Sequence, residues 1–336
     1  MILPRNSNKK IWFDFTNPPH VNQFLPLIRH LGKTNEIYCS ARQFVETTEL
    51  LNKYGIPFTV FGGHGGKSKI RKIVRMFQRN IRLALSIPKF DLSISSNYEA
   101  PLISWLTRRK SIVFDDNDIS PNWLYAPFVT KVFSPRFINI EKMLSYGIKK
   151  EKLFLYEGFK EDIYLADYEP DPDFLNNLPF REFVTVRPEN LNASYVSGNK
   201  SIVPELIERL IKNGYNILYL PRYEMDRSYI IPNNRLFIPG SPLNGLDVCY
   251  YSTAVLTGAG TFAREAAQLG VPAVSFFAGV EFLNVDKVMF EQKKVFFSRE
   301  PLEIITYLKK SNRKDFDRQK SIAVKSEVIS GIEELL

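Results

Sequence analysis

The chain has 336 residues, 44% of them hydrophobic and 24% charged, with a formal net charge of +9. That length fits two domains of roughly 150 residues, and the composition is that of a soluble globular protein, excluding a disordered or fibrous one. No apolar run approaches the ~20 residues of a membrane-crossing helix, and the basic first ten residues have no apolar stretch behind them to make a secretory signal, so a cytoplasmic protein is expected.

Strand-like apolar runs alternate with helical patterns from the start. Lys10 to Phe15 reads as a strand, and "TNPPHVNQF" then gives a turn at Asn17-Pro18-Pro19 and an amphipathic helix from His20 to Leu31. Further strands read at Glu36 to Ser40, Pro57 to Phe61, Asp91 to Ser95, Ser111 to Phe114, Lys131 to Ser134 and Lys152 to Tyr156, with another helix at Glu46 to Tyr54. Such alternation predicts a parallel sheet with helices on both faces. Cys39 and Cys249 fall in apolar surroundings, match no metal or redox spacing, and read as core thiols.

Two features interrupt this first series. "FGGHGGKSK", around His64, lacks the glycine spacing of a Walker loop and is either an adaptable acceptor-binding loop or a plain connection. The basic helix from Lys67 to Lys89 follows. It carries Arg71, Lys72, Arg75, Arg79 and Arg82 and no acidic residue, while Ile70, Ile73, Val74, Phe77, Ile81, Ala84 and Leu85 form the stripe expected to face the core. Its charged face is either merely solvated or attracted to an anionic membrane, lipid-linked phosphate or phosphorylated substrate. No motif for nucleic acid accompanies it.

"FDDNDISPNW" places Asp115, Asp116 and Asp118 just after a strand. Close carboxylates disfavour joint ionisation and so supply a general base with a raised pKa; the alternative is that they cap the next helix. The acidic, proline-containing stretch from Glu157 to Pro179 suits an interdomain connection, which sets domains at 1–160 and 161–336. A second alternating series has strands at Phe183 to Val186, Asn216 to Leu220, Arg235 to Ile238, Ala254 to Thr257 and Ala273 to Phe276. Two doubly wound domains in tandem, facing a central cleft, are the expected architecture.

Within the second series, "TGAGTFAREAAQLGVPAVSF" runs from a buried strand through Gly258-Ala259-Gly260 into a helix ended by Gly270. A glycine turn at a helix start offers free N–H groups and a positive dipole end to an anion such as diphosphate. Thr261 adds a hydroxyl, and Glu265 is placed to accept hydrogen bonds from a ribose diol; tight packing and helix stability are the alternative reasons for the glycines and the glutamate. Arg187 and Arg222 end strands at the same sheet edge, where a guanidinium stabilises a diphosphate leaving group. Arg264 is either a third positive group or a surface residue.

"TGAGTFAREAAQLGVPAVSF" resembles the nucleotide-sugar signature of the GT-B superfamily, which includes the lipid II-forming glycosyltransferase and the UDP-N-acetylglucosamine 2-epimerases. Taken in order with "IWFDFTNPPHVNQFLPLI", "YEGFKEDIYLADYEPD" and "VTVRPENLNASY", it resembles an uncharacterised archaeal and bacterial GT-B-like family across nearly the whole chain. The resemblance implies that Gly258, Gly260 and Thr261 hold phosphate, that Glu265 holds ribose, and that the base sits near residues 238–243. "DFTNPPHVNQF" is similar to the Gly-Gly-His loop of GT-B transferases, with two prolines in place of glycines, so a phosphate cradle is not expected there. His20 is then a general base toward an acceptor hydroxyl, a hydrogen-bond donor to sugar or phosphate, or a packing residue. Acidic residues in this half of the epimerases act on the sugar, which the resemblance carries to Asp116 and Asp118.

The resulting expectation is a metal-independent glycosyltransferase that takes a UDP-sugar as donor substrate, needs no other cofactor, and meets an acceptor that is lipid-linked or otherwise anionic through the basic helix. A UDP-sugar 2-epimerase and a non-catalytic nucleotide-sugar binding protein are the alternatives.

Overall fold

The computed structural model describes residues 8–43, 45–63, 69–191 and 200–336. The chain divides into two units, one of residues 1–167 and 320–336, the other of 168–319.

Unit 1 is built on β1 (Lys10–Phe15), β2 (Glu36–Gln43), β3 (Thr59–Gly63), β4 (Leu92–Ser95), β5 (Lys110–Phe114), β6 (Lys131–Pro135) and β7 (Leu153–Tyr156). These pair in parallel in the order β3-β2-β1-β4-β5-β6-β7. Its helices are α1 (Pro18–Leu31), α2 (Val45–Lys53), α3 (Lys69–Ser86), α4 (Glu99–Leu106), α5 (Ile140–Ser145) and α6 (Lys160–Leu165). Because strand side chains alternate between faces, Ile11, Phe13 and Phe15 enter one core layer and Trp12 enters the opposite one with Phe61, Leu83, Phe90, Ala100 and Ile103. Phe24 fixes α1 on the first layer through the rings of Phe13 and Phe15 at 5.7 Å and of Phe114 at 5.5 Å. Truncating such a side chain costs about 3–5 kcal/mol.

Unit 2 carries β8 (Val184–Arg187), β9 (Ile217–Tyr219), β10 (Leu236–Phe237), β11 (Ala254–Thr257), β12 (Ala273–Ser275) and β13 (Val295–Phe297), parallel in the order β10-β9-β8-β11-β12-β13. Helices α7 (Val203–Lys212), α8 (Gly245–Tyr251), α9 (Gly260–Gln268), α10 (Asn284–Glu291) and α11 (Pro301–Leu308) connect or flank these strands, and α12 (Arg318–Glu333) ends the chain. In both sheets the strand order reverses beside the first strand, between β1 and β4 and between β8 and β11. Open parallel sheets bind ligands at the carboxyl ends of strands at such a reversal.

Three expectations need correction. The segment from Glu157 is not wholly a connection: α6 lies within it, with Ile163 in the core of unit 1. The carboxyl-terminal residues do not all belong to the second domain either. Residues 320–336 are part of unit 1, because Val324, Val328, Ile329 and Ile332 of α12 fill the same layer as Phe13 and Phe133. From Phe77 on, the stripe of α3 is also reversed; the side chains of Ile70, Ile73 and Val74 lie outside the described ones. Phe77, Ile81 and Leu85 are 61%, 58% and 81% exposed, whereas Arg79 is 3% exposed and Leu83 fully buried. The cause is Arg79, whose guanidinium is held inside the unit by two carboxylates.

Candidate functional site

In unit 1 the reversal point is a buried polar network. Asp14, next to the last residue of β1, lies opposite Ser40 of β2 and Ser95 of β4. Its carboxylate accepts from Ser40 Oγ at 2.5 Å, Asn97 Nδ2 at 2.7 Å and Arg79 Nη2 at 2.7 and 3.0 Å. Arg79 also donates through Nε to the Phe61 carbonyl at 3.0 Å, and its Nη1 lies 3.1 Å from Glu99. Burial pushes the Glu99 carboxyl above its ordinary pKa, and Arg79 opposes that shift. This network fixes the floor from which the Asn17-Pro18-Pro19 turn leaves.

Pro18 and Pro19 occupy the first positions of α1, where a missing N–H costs no intrahelical bond. His20 follows, half-buried, sharing a hydrogen bond between Nδ1 and Thr16 Oγ1 at 3.3 Å and tilted over Phe24. Burial, then Lys160, lowers its pKa to about 4, against the opposing pull of Asp116 and Asp14. The imidazole is therefore neutral near pH 7. Lys160, the first residue of α6, pairs with Asp116 at 2.7 Å. This lysine was missed: it stands in the quoted "YEGFKEDI", in a stretch that composition assigned to a connection.

Asp115 lies beside this pair. Its Oδ1 accepts from the Asn117 N–H at 2.8 Å and its Oδ2 from the Tyr125 hydroxyl. Burial raises its pKa to about 7, the two hydrogen bonds opposing the shift and Asp116 adding to it. The aspartates do not cap the next helix. The turn Asn122–Leu124 has no side-chain cap, and Asn117 Oδ1 instead accepts from the N–H groups of Ile119 and Ser120. Asp118 is 3% exposed. The structure thus brings His20, Asp115, Asp116 and Lys160 into one electrostatic cluster, while Asp118 is packed within the turn.

In unit 2, Arg187 ends β8 opposite Thr257 of β11, and its carbonyl accepts from the Gly258 N–H at 3.1 Å. The strand ends pack so closely that a Cβ on Gly258 would meet Glu189 Cα at 2.5 Å, so glycine is required. Glu189 is itself fixed by Ser201 Oγ at 2.8 Å, the Ile202 N–H at 3.1 Å and Arg299 at 3.3 Å. Helix α9 then starts after Ala259, which has no side-chain oxygen to cap its first amides. Gly270, at φ 76°, closes its far end.

Arg187 stands over the Phe262 ring at 5.6 Å, and both Arg187 and Glu265 act electrostatically on the buried Cys249 thiol. Arg187, Thr261 and Glu265 therefore gather on and beside α9. Glu265 is 8% exposed. Arg222, after β9, reaches the same edge and donates from Nε to the Pro188 carbonyl at 3.0 Å, its loop held by Asp226 at 2.8 Å from the Arg222 N–H. Arg264 is not a surface residue: it is 2% exposed, ion-paired to Asp286, and 3.3 Å from Thr261 Oγ1. The carboxylate of Asp286 would lie 3.1 Å from a Cβ on Gly260.

The loop around His64 falls on 64–68 and the end of "VTVRPENLNASY" on 192–199, both outside the described residues. Among the described residues, no group of three or more His, Cys, Asp or Glu is arranged to hold a metal ion. Both cysteines are buried.

A protein-family model described as "Protein of unknown function (DUF354)" matches residues 9–330. An uncharacterised protein of Methanocaldococcus jannaschii is 29% identical over 317 residues, covering 90% of this chain and 91% of its own. Among solved structures, the UDP-GlcNAc 2-epimerase of M. jannaschii, in complex with UDP-GlcNAc and UDP, is similar with a TM-score of 0.72 at 14% identity, over 97% of this chain and 99% of that one. The Neisseria meningitidis UDP-GlcNAc 2-epimerase bound to UDP-GlcNAc gives 0.66 at 12%, over 97% and 99%. Anabaena HepE in complex with UDP and glucose gives 0.62 at 15%, over 98% and 95%. The likeness is one of fold, and the GT-B-like class expected from the sequence is the class observed.

Proposed function

The chain belongs to the DUF354 family, and we propose that it is a GT-B-type enzyme that uses a UDP-sugar, transferring the sugar to an anionic, lipid-linked acceptor. The observation that carries the donor reading is the cationic end of β8 beside α9: Arg187 over Phe262, with Thr261 and Glu265 on the helix that follows the glycine turn. In this reading the amides at Gly260 and Thr261 hold diphosphate, Glu265 holds the ribose diol, and Arg187 with Arg222 stabilises the leaving UDP. Three solved neighbours carry UDP or a UDP-sugar, which supports this donor class.

On the acceptor side, unit 1 supplies the proton chemistry. The acceptor oxygen attacks the anomeric carbon, the bond from that carbon to the diphosphate breaks, and the hydroxyl proton passes to the enzyme. A base works best with a pKa near the working pH; His20, at about 4, is a better hydrogen-bond partner to the acceptor than a proton acceptor. The proton is assigned to the acidic turn at Asp115 and Asp116, which Lys160 and His20 adjoin. Asp118 is buried in the same turn.

The same acid–base cluster favours a second reading, UDP-GlcNAc 2-epimerisation, in which a C2–H bond is broken and remade. Calorimetric titration with UDP, GDP and their sugar conjugates, without added metal, tests the donor. Incubating the selected UDP-sugar in D2O without acceptor then separates the readings. Deuterium at C2 means epimerisation; none, with UDP release only on adding a hydroxyl-bearing sugar linked to a prenyl diphosphate as acceptor, means transfer; tight binding without either means a binding protein.

A further inference from the structure

The outward apolar line of α3 has no counterpart in the core. Phe77, Ile81 and Leu85 recur at i, i+4 and i+8, all more than half exposed, because the inward line is taken by Arg79 and Leu83. Helix α4 adds to the same surface. It lies beside α3, with Leu83, Ala100 and Ile103 in one cluster. The two helices run into the amino ends of β4 and β5, which are paired neighbours, so Leu85 and the end of α4 share one rim of the unit. There Trp105 is 57% and Leu106 60% exposed, with the Trp105 ring 5.4 Å from Phe128. Isolated exposed apolar residues are ordinary; five gathered on two adjacent helices mark a contact surface.

Charge says what the contact is. Helix α3 has six basic residues, Lys69, Arg71, Lys72, Arg75, Arg79 and Arg82, and no acidic one. Only Arg79 among those described is neutralised internally, by Asp14 and Glu99. Arg82, Lys89, Arg108 and Lys110 are exposed around the apolar line. At the amino end of β4, Asp91 is paired with Arg109 at 3.5 Å. Apolar side chains framed by cations fit the boundary between acyl chains and anionic headgroups, where a tryptophan ring also settles. We propose that the outer face of α3, with the adjoining end of α4, docks unit 1 onto an anionic phospholipid surface. This extends the lipid-linked acceptor reading and does not depend on the donor.

The test is co-sedimentation of the full chain with vesicles of phosphatidylcholine, alone or mixed with phosphatidylglycerol, for the wild type, a Phe77→Ser/Ile81→Ser/Leu85→Ser variant and an Arg82→Glu/Lys89→Glu variant. The mixed vesicles are expected to bind the wild type, and each variant should bind them about tenfold less, with salt weakening the wild type. Equal binding to both vesicle types, no binding, or unchanged binding by the apolar variant overturns the proposal. So does a dimer in sedimentation velocity that the apolar variant dissolves while vesicles bind nothing, since a second copy then covers the face. UDP titration of the same preparations keeps the readings apart: loss of UDP binding in the wild type sinks the donor assignment and leaves the vesicle result standing.

Discussion

Arg79 of α3 grips Asp14 of β1 with one nitrogen, Nη2, at 2.7 and 3.0 Å, in a site where the two side chains are 3% and 0% exposed. Taking one partner away leaves a carboxylate buried without its counter-charge. Arg79→Met is therefore expected to destabilise the protein by about 3–5 kcal/mol, whereas Arg82→Ala on the outer face should stay within about 0.5 kcal/mol. Urea unfolding of both variants checks this. Equal midpoints would mean that Arg79 does not hold the end of β1.

Lys160 lowers the pKa of His20 and Asp116 raises it. In Lys160→Met the His20 pKa should rise above its value of about 4, and in Asp116→Asn it should fall further. The chain has three histidines, so NMR titration of the imidazole protons resolves each. In the wild type the shift also acts on stability. The unfolded state binds more protons between the ordinary His pKa of about 6.5 and the folded one, so this contribution is present above that window and lost as pH falls through it. A His20 titrating near 6.5 would remove it from the buried cluster.

Asp115 gives the opposite sign. Its folded pKa of about 7 exceeds the model-peptide value of 3.8, so the folded state holds the extra proton between these limits. Its contribution is present at low pH and lost as pH rises through 7. Asp115→Asn keeps an acceptor for Tyr125 without the charge. The difference in thermal midpoint between variant and wild type should thus move in the variant's favour from pH 5 to pH 8, and a constant difference would place Asp115 in ordinary contact with solvent.

Much of this was legible from periodicity and chain order. Alternating apolar runs marked twelve of the strands, and the glycine turn with Gly270 marked both ends of α9, because backbone geometry is a local property. The edge strand β13, Val295–Phe297, is not among them. Partners distant in sequence were the harder part. Arg79 meets Asp14 across 65 positions, and that ion pair, which no local pattern announces, turned the helical stripe outward. Lys160 was hidden similarly, since its role comes from Asp116 on another element. In α9 the sequence placed Arg264 and Glu265 together, but only packing tells them apart.

That difference is testable in adjacent residues. Arg264 is ion-paired to Asp286 at 2% exposure, so its task is to tie α9 to α10. Arg264→Ala should lower stability by about 3 kcal/mol, the lower end of the cost of breaking a buried pair, with Asp286 left uncompensated. In the proposed donor site Glu265 holds the ribose, so Glu265→Ala should weaken UDP binding by about 1–3 kcal/mol, the cost of a charged hydrogen bond lost, while the thermal midpoint falls less than in Arg264→Ala. Calorimetry with UDP and thermal unfolding on both variants give the comparison. If Glu265→Ala loses stability as Arg264→Ala does and keeps its UDP affinity, the glutamate belongs to the packing of α9 and the ribose must be held elsewhere on unit 2.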